Sequence, residues 1–177
     1  VLYDLAFLVM DLLHRGLPRH AHAVCNEYVV ATADVDGLAL MPLFLSVRAA
    51  VRAKTSATAA RLQVTPAEQE RQQQAARDYL SLALSALDPA PAKLVAVGGL
   101  SGAGKSVVAR ELAPAIGAAP GALVLRSDVV RKSLLGVAPA IPLGSEGYAA
   151  GVTRRVYREL ASRAAIAVAA GHSVIVD

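Results

Sequence analysis

Only one cysteine, Cys25, occurs in the 177 residues. No intramolecular disulfide can form, which suits a reducing compartment and makes a cytoplasmic setting the expectation. Cys25 falls in a helical pattern, where a small buried hydrophobe is the default and a reactive thiol the alternative. Tryptophan is absent and aromatics make up 4% of the chain, too few for the stacking platforms that hold single-stranded nucleic acid. No run of 18 or more uncharged apolar residues occurs, so no membrane-spanning helix is expected. The opening "VLYDLAFLVMDLLHRG" is apolar but carries Asp4 and Asp11 and has no basic leader, unlike a signal peptide. It does not begin with methionine, and the chain is expected to be an internal piece of a longer protein.

What is present is a largely apolar chain with charge unevenly placed. At 55% hydrophobic residues it can bury a core, and disorder is not the default. Residues 1–88 hold eight Lys/Arg and nine Asp/Glu, whereas residues 89–177 hold ten and five. A basic second half suits anionic small ligands such as nucleotides. Its basic residues are dispersed, so nucleic acid is not the expected partner. His14, His20 and His22 have no Cys or His partners at metal-ligand spacing, and His172 reads as a turn residue.

The first 88 residues have helical periodicity only. Helices are expected over 4–14, 19–33 and 38–62, the third broken or kinked near Pro42. A fourth starts at "TPAE", where Thr65 caps, Pro66 takes the first turn and Glu68 completes a capping box. Its apolar face is expected to hold Tyr79, Leu80, Ala83, Leu84 and Leu87. "DPAPAK" at 88–93 is a linker by composition. Beyond it the pattern alternates: a buried strand in "KLVAVG", a helix from Lys105, a strand in "ALVLRSD", and a short helix in "VVRKSLLG". A loop in "APAIPLGSEG", a helix over 148–170 and a strand in "HSVIVD" follow. The expected fold class is α/β, an incomplete parallel sheet of about three strands behind an all-helical N-terminal segment, which the loop described next makes a P-loop-type sheet.

The segment "GLSGAGKS" places Gly99, Leu100, Ser101, Gly102, Ala103, Gly104, Lys105 and Ser106 in the full phosphate-binding-loop pattern, after a strand and before a helix. Glycines open backbone angles closed to other residues and let the main chain approach a ligand. Successive N–H groups and the leading end of the helix then face phosphate oxygens. Lys105 adds a full charge at the β- and γ-phosphates, and the Ser106 hydroxyl suits Mg²⁺.

Two further carboxylates fall at strand ends. Asp177 closes "SVIVD" and resembles a Walker B carboxylate on the magnesium side; the bland alternative is a helix cap. Asp128, in "RSDVVRK", would sit near the transferred phosphoryl and orient or deprotonate an attacking hydroxyl. It could equally cap the helix that follows. Arg131, three residues on, could steady a substrate or phosphate. Arg154, Arg155, Arg158 and Arg163 on the long helix read as solvent-facing charges, with room for one to reach the crevice.

"LVAVGGLSGAGKS", "VLRSDVVRK" and "AAGHSVIVD", in that order and spacing, resemble the P-loop kinase domain of bacterial AAA-family ATPases and bifunctional aminoglycoside phosphotransferase/ATP-binding proteins. "YDLAFLVMDLLHRG" through "LSVRAAVRAK" resembles the last helices of the aminoglycoside-phosphotransferase-like domain that precedes it there. The resemblance implies three parts: a helical remnant at 1–88, a linker at 89–93, and a kinase-like nucleotide-binding domain at 94–177 that would continue into further strands and an arginine-bearing lid. It implies ATP and Mg²⁺ as cofactors and a small-molecule hydroxyl as phosphate acceptor. Residues 99–106 form the ATP loop, Lys105 is the phosphate lysine, Ser106 and Asp177 take the metal side, and Asp128 with Arg131 takes the acceptor side. ATP hydrolysis coupled to conformational change and a non-catalytic nucleotide-binding module remain the other expectations.

Overall fold

A computed structural model of the chain describes residues 1–100 and 102–177. The N-terminal half consists of four helices: α1 (Leu2–His14), α2 (Pro18–Thr32), α3 (Met41–Ala60) and α4 (Pro66–Leu87). A 3-10 turn at Asp36–Leu40 leads into α3. The expected break near Pro42 is the junction between this turn and α3, with Pro42 in the first turn of α3. That position has no intrahelical N–H bond to lose, so proline starts this helix rather than bending it. At α4 the expected capping box is present: Thr65 Oγ1 accepts from the Glu68 amide and donates to the Glu68 carboxylate.

The expected apolar face of α4 is corrected by its packing. Tyr79 and Ala83 are buried, but Leu80, Leu84 and Leu87 are exposed. α4 packs chiefly on α3, which covers only one narrow stripe; the second leucine row faces outward.

The C-terminal half alternates strand and helix: β1 (Leu94–Ala96), α5 (Lys105–Leu112), β2 (Leu123–Leu125), α6 (Ser127–Leu134), α7 (Ala150–Ala169) and β3 (Val174–Val176). All three strands are parallel, in the order β1-β3-β2. Val174 pairs with both Leu94 and Leu123, and Val176 with both Ala96 and Leu125. This is the expected α/β P-loop sheet behind an all-helical segment.

Alternation along the strands sorts side chains to two faces. Val124 and Ile175 pack with Ala109 and Ala113 beside α5. Leu123, Leu125 and Val174 join a larger core with Val156 and Leu160 of α7 and with the buried residues of α1 to α4. The two halves thus share one hydrophobic core. β1 departs from the expected buried strand: Leu94 is 62% exposed. It is an outer strand whose free edge no described element pairs.

The opposite edge, on β2, is covered by α2. Asn26 Oδ1 accepts the Val124 amide at 2.8 Å, and His22 Nε2 lies 2.9 Å from the Ala122 carbonyl. Such cover removes unpaired strand groups from solvent. Cys25, on the same helix, is buried, and burial pushes its thiol up to about 12. It is a core residue, as its default reading has it.

His22 and His172 are both buried here; His172 directly follows the turn that ends α7, its amide bonded back to the Ala167 carbonyl. Burial lowers the pKa of both; backbone contacts at Ala122 and Gly121 offset this in part, and for His172 the charge of His22 lowers it further. The folded protein therefore resists protonation that the unfolded chain accepts below the ordinary histidine value of about 6.5. Stability is expected to hold above that pH and to fall below it, by up to about 1.4 kcal/mol per pH unit for each histidine. Thermal melts from pH 7.5 to 5 check this, and His172→Gln should flatten the acid slope.

Candidate nucleotide-phosphate site

The loop between β1 and α5 has the backbone its glycines permit. Gly99, Gly102 and Gly104 all have positive φ, at 152°, 78° and 82°. Around Gly102 and Gly104 a Cβ would meet nothing within 4 Å, so glycine is required there by backbone angle rather than by crowding. Ser101 lies outside the described residues. Leu100 and Ala103 are exposed, and the Ala103 amide turns back to the Leu100 carbonyl at 3.2 Å. α5 begins at Lys105 with Gly104 as its N-cap and no side-chain cap. Its leading N–H groups remain available to an anion, at the positive end of the helix dipole.

Lys105 Nζ donates to the Gly99 and Leu100 carbonyls at 3.0 and 2.8 Å. The ammonium is folded over the loop entrance and held by neutral acceptors. A phosphate oxygen is a stronger, charged acceptor for the same group.

Ser106, next on α5, is tied to the far strands. Its Oγ accepts from Arg126 Nε at 3.2 Å, and the same Nε lies 3.7 Å from Asp177 Oδ2. Asp177 follows β3, the central strand, and its side chain is 6% exposed. Its Oδ2 is buried with no hydrogen-bond partner. That buried oxygen lies at ion-pair distance from the Arg126 guanidinium, which also contacts the Ser106 hydroxyl, and a metal cation there would give it the close partner it lacks. Among the described residues no group of three or more His, Cys, Asp or Glu could hold a metal alone. One hydroxyl and one carboxylate suit magnesium, which keeps waters and takes its other ligands from phosphates.

Asp128 lies beside this point. The Asp177 amide donates to Leu125 O and the Ser127 amide to Asp177 O, at 3.1 and 3.2 Å, which binds the start of α6 to the end of β3. Asp128 is not the cap of α6, since Arg126 holds that position. It sits in the first turn, where a carboxylate complements the helix dipole. Its side chain is 46% exposed and pairs with Lys132 at 3.6 Å.

Arg131 is placed differently from the acceptor-side role expected of it. It is buried, donates to Gly147 O at 2.8 Å and to Thr153 Oγ1 at 3.3 Å, and its guanidinium lies 4.8 Å from the Tyr148 ring centroid. In this arrangement it fastens the turn Ser145–Tyr148 to α6. Lys105, Ser106, Asp177 and Asp128 all lie in the segments that leave the carboxyl ends of β1, β3 and β2, where ligands of open parallel sheets bind; Arg131 is engaged instead with Gly147 and Thr153. Arg126, which links Ser106 to Asp177, had no role in the sequence reading. Its only signal was its place directly after a strand.

The comparisons with known proteins agree with this geometry. Residues 94–177 match the family model described as "AAA domain". Uncharacterized proteins of Mycobacterium tuberculosis and Mycobacterium bovis are 33% identical over 178 residues, covering 98% of this chain and 34% of each relative. The chain thus spans about a third of the length of these curated relatives. No solved structure matches it. None of the described helices is long and apolar enough to cross a membrane. Residues 94–177, a little under half of the chain, thus have an α/β fold of the P-loop type and are similar to AAA domains.

Proposed function

We propose that this domain is an ATP-dependent phosphotransferase that moves the γ-phosphoryl group to the hydroxyl of a small molecule. The observation that carries this reading is Asp128: a half-exposed carboxylate in the first turn of α6, paired with Lys132, on a helix whose start the Ser127–Asp177 backbone bond ties to the end of β3. Simple nucleotide binding does not need it; a hydroxyl acceptor does. The main-chain amides and Lys105 hold the phosphates. Ser106 and Asp177 would hold Mg²⁺, which supplies charge neutralisation when bound. Asp128 takes the acceptor hydroxyl proton as the new O–P bond forms and the bond to the β-phosphate oxygen breaks, releasing ADP. Arg131 acts through the Gly147 turn, as a positioning residue for the wall beside α6.

On this reading the helical residues 1–88 are the closing part of an aminoglycoside-phosphotransferase-like domain; the mycobacterial relatives align across both halves of the chain. A cytoplasmic setting, with ATP at hand and a lone buried thiol, accords with the same reading.

The test is a screen of hydroxylated metabolites with γ-labelled ATP and the full-length protein. A labelled organic phosphate is the expected product. Release of inorganic phosphate alone would favour hydrolysis coupled to conformational change, and binding without turnover would favour a regulatory module. Asp128→Asn should leave Mg-ATP affinity within about twofold and lower transfer by about 10²–10⁴-fold, the usual contribution of a general base. Transfer unaffected by that change would remove Asp128 from the chemistry.

A further inference from the structure

Between α2 and the nucleotide-binding half lies a cavity of about 420 Å³, within the range of small-molecule sites. It is distinct from the loop of residues 99–106, none of which lines it. Its wall is apolar on both sides, with Val29 and Val30 from α2 and Val129 and Val130 from α6. Its polar rim is cationic: Arg19, Arg110, Arg126 and Arg163 against Glu27 and Glu111. Arg19 is paired with Glu111 at 2.8 Å and Arg163 with Glu159 at 2.7 Å. Arg110 has no ion-pair partner among the described residues, and Arg126 has only the long contact to Asp177. An apolar chamber with surplus guanidinium at its mouth fits a molecule with a hydrophobic body and one anionic group.

We propose that this cavity is a second ligand site, for an amphipathic organic anion, and that Arg126 links it to the phosphate loop. The same guanidinium lines the cavity and contacts Ser106 Oγ. With Mg-ATP bound, Ser106 and Asp177 are engaged elsewhere and Arg126 is released toward the cavity. Each ligand then strengthens the other, since coupling between two sites is reciprocal.

The probe is anilinonaphthalene sulfonate, a fluorescent aromatic anion. We expect saturable one-to-one binding to this chain with a rise in emission. Ala23→Trp, at an exposed position of α2 lining the cavity, should weaken it by about tenfold or more, and Arg110→Gln should weaken it as well. Leu84→Glu, on the exposed leucine row of α4, should change nothing. Circular dichroism confirms that each variant is folded. Several weak sites, or a loss in Leu84→Glu with none in Ala23→Trp, would overturn the assignment.

Saturating Mg-ATP should tighten the probe by about fivefold or more, and Arg126→Met should abolish that shift. The site itself does not depend on the phosphotransfer reading; only the link does. If Mg-ATP fails to bind in a separate titration, the nucleotide reading fails and the cavity result stands. If Mg-ATP binds and the probe affinity does not move, the Arg126 link is overturned.

Discussion

Lys105→Ala is expected to lower ATP turnover of the full-length protein by about 10³-fold, the scale of losing a dedicated charge-stabilising donor. The folded state should barely change. Among the described residues the Lys105 ammonium makes two solvent-exposed hydrogen bonds, both to carbonyls of its own loop, and substitutions of that kind shift stability by about 0.5 kcal/mol or less. The discriminating pair of measurements is a steady-state turnover assay and a thermal melt on the same preparation. Lost activity with an unchanged melt identifies a ligand-facing lysine. Undiminished turnover would remove the phosphate loop from the mechanism. Lys105→Arg is not expected to rescue, because a planar fork does not replace a compact ammonium in a confined loop.

Arg131→Ala should behave in the opposite way. Its guanidinium is buried and satisfies the Gly147 carbonyl and the Thr153 hydroxyl while lying over Tyr148. Truncation leaves a buried carbonyl without its donor and an unfilled space beside α6. Together these cost about 2–4 kcal/mol. Denaturant unfolding should show the drop in midpoint. Mg-ATP affinity of the fraction that remains folded should be close to wild type, since Arg131 contacts Gly147, Thr153 and Tyr148 and none of the described residues of the loop. A variant with normal stability and lost transfer would show instead that Arg131 reaches the acceptor directly.

The contrast between these two residues shows how far the sequence could be followed. Lys105 was legible because its role is written locally: eight consecutive residues, three of them glycine, dictate the backbone, and the helix begins where the pattern places it. Asp177 and Asp128 were legible for a related reason, since the end of a parallel strand is a position of known meaning. Thr65 and Glu68 likewise carry their capping geometry in their spacing. Arg131 was not legible, because its partners lie 16 and 22 residues away, on a turn and a helix whose packing no local pattern encodes. The same holds for His22 and Asn26, which meet β2 across about 100 residues. Leu80, Leu84 and Leu87 misled in the other direction: apolar spacing states what a helix could bury, not what its neighbours cover. Beyond its place after a strand, Arg126 carries no local signal of its role, because its importance comes from a strand that follows it by some fifty residues.

The side chain of Asn26 acts as a lateral seal on the sheet: it supplies to β2 the acceptor that a neighbouring strand would otherwise provide. It follows that the proline-rich stretch at 88–93, however much it looks like a place to cut, is a poor point for dissection. Severing the halves there would unzip the seal and leave the Val124 amide bare, turning a closed border of the sheet into one that recruits other chains.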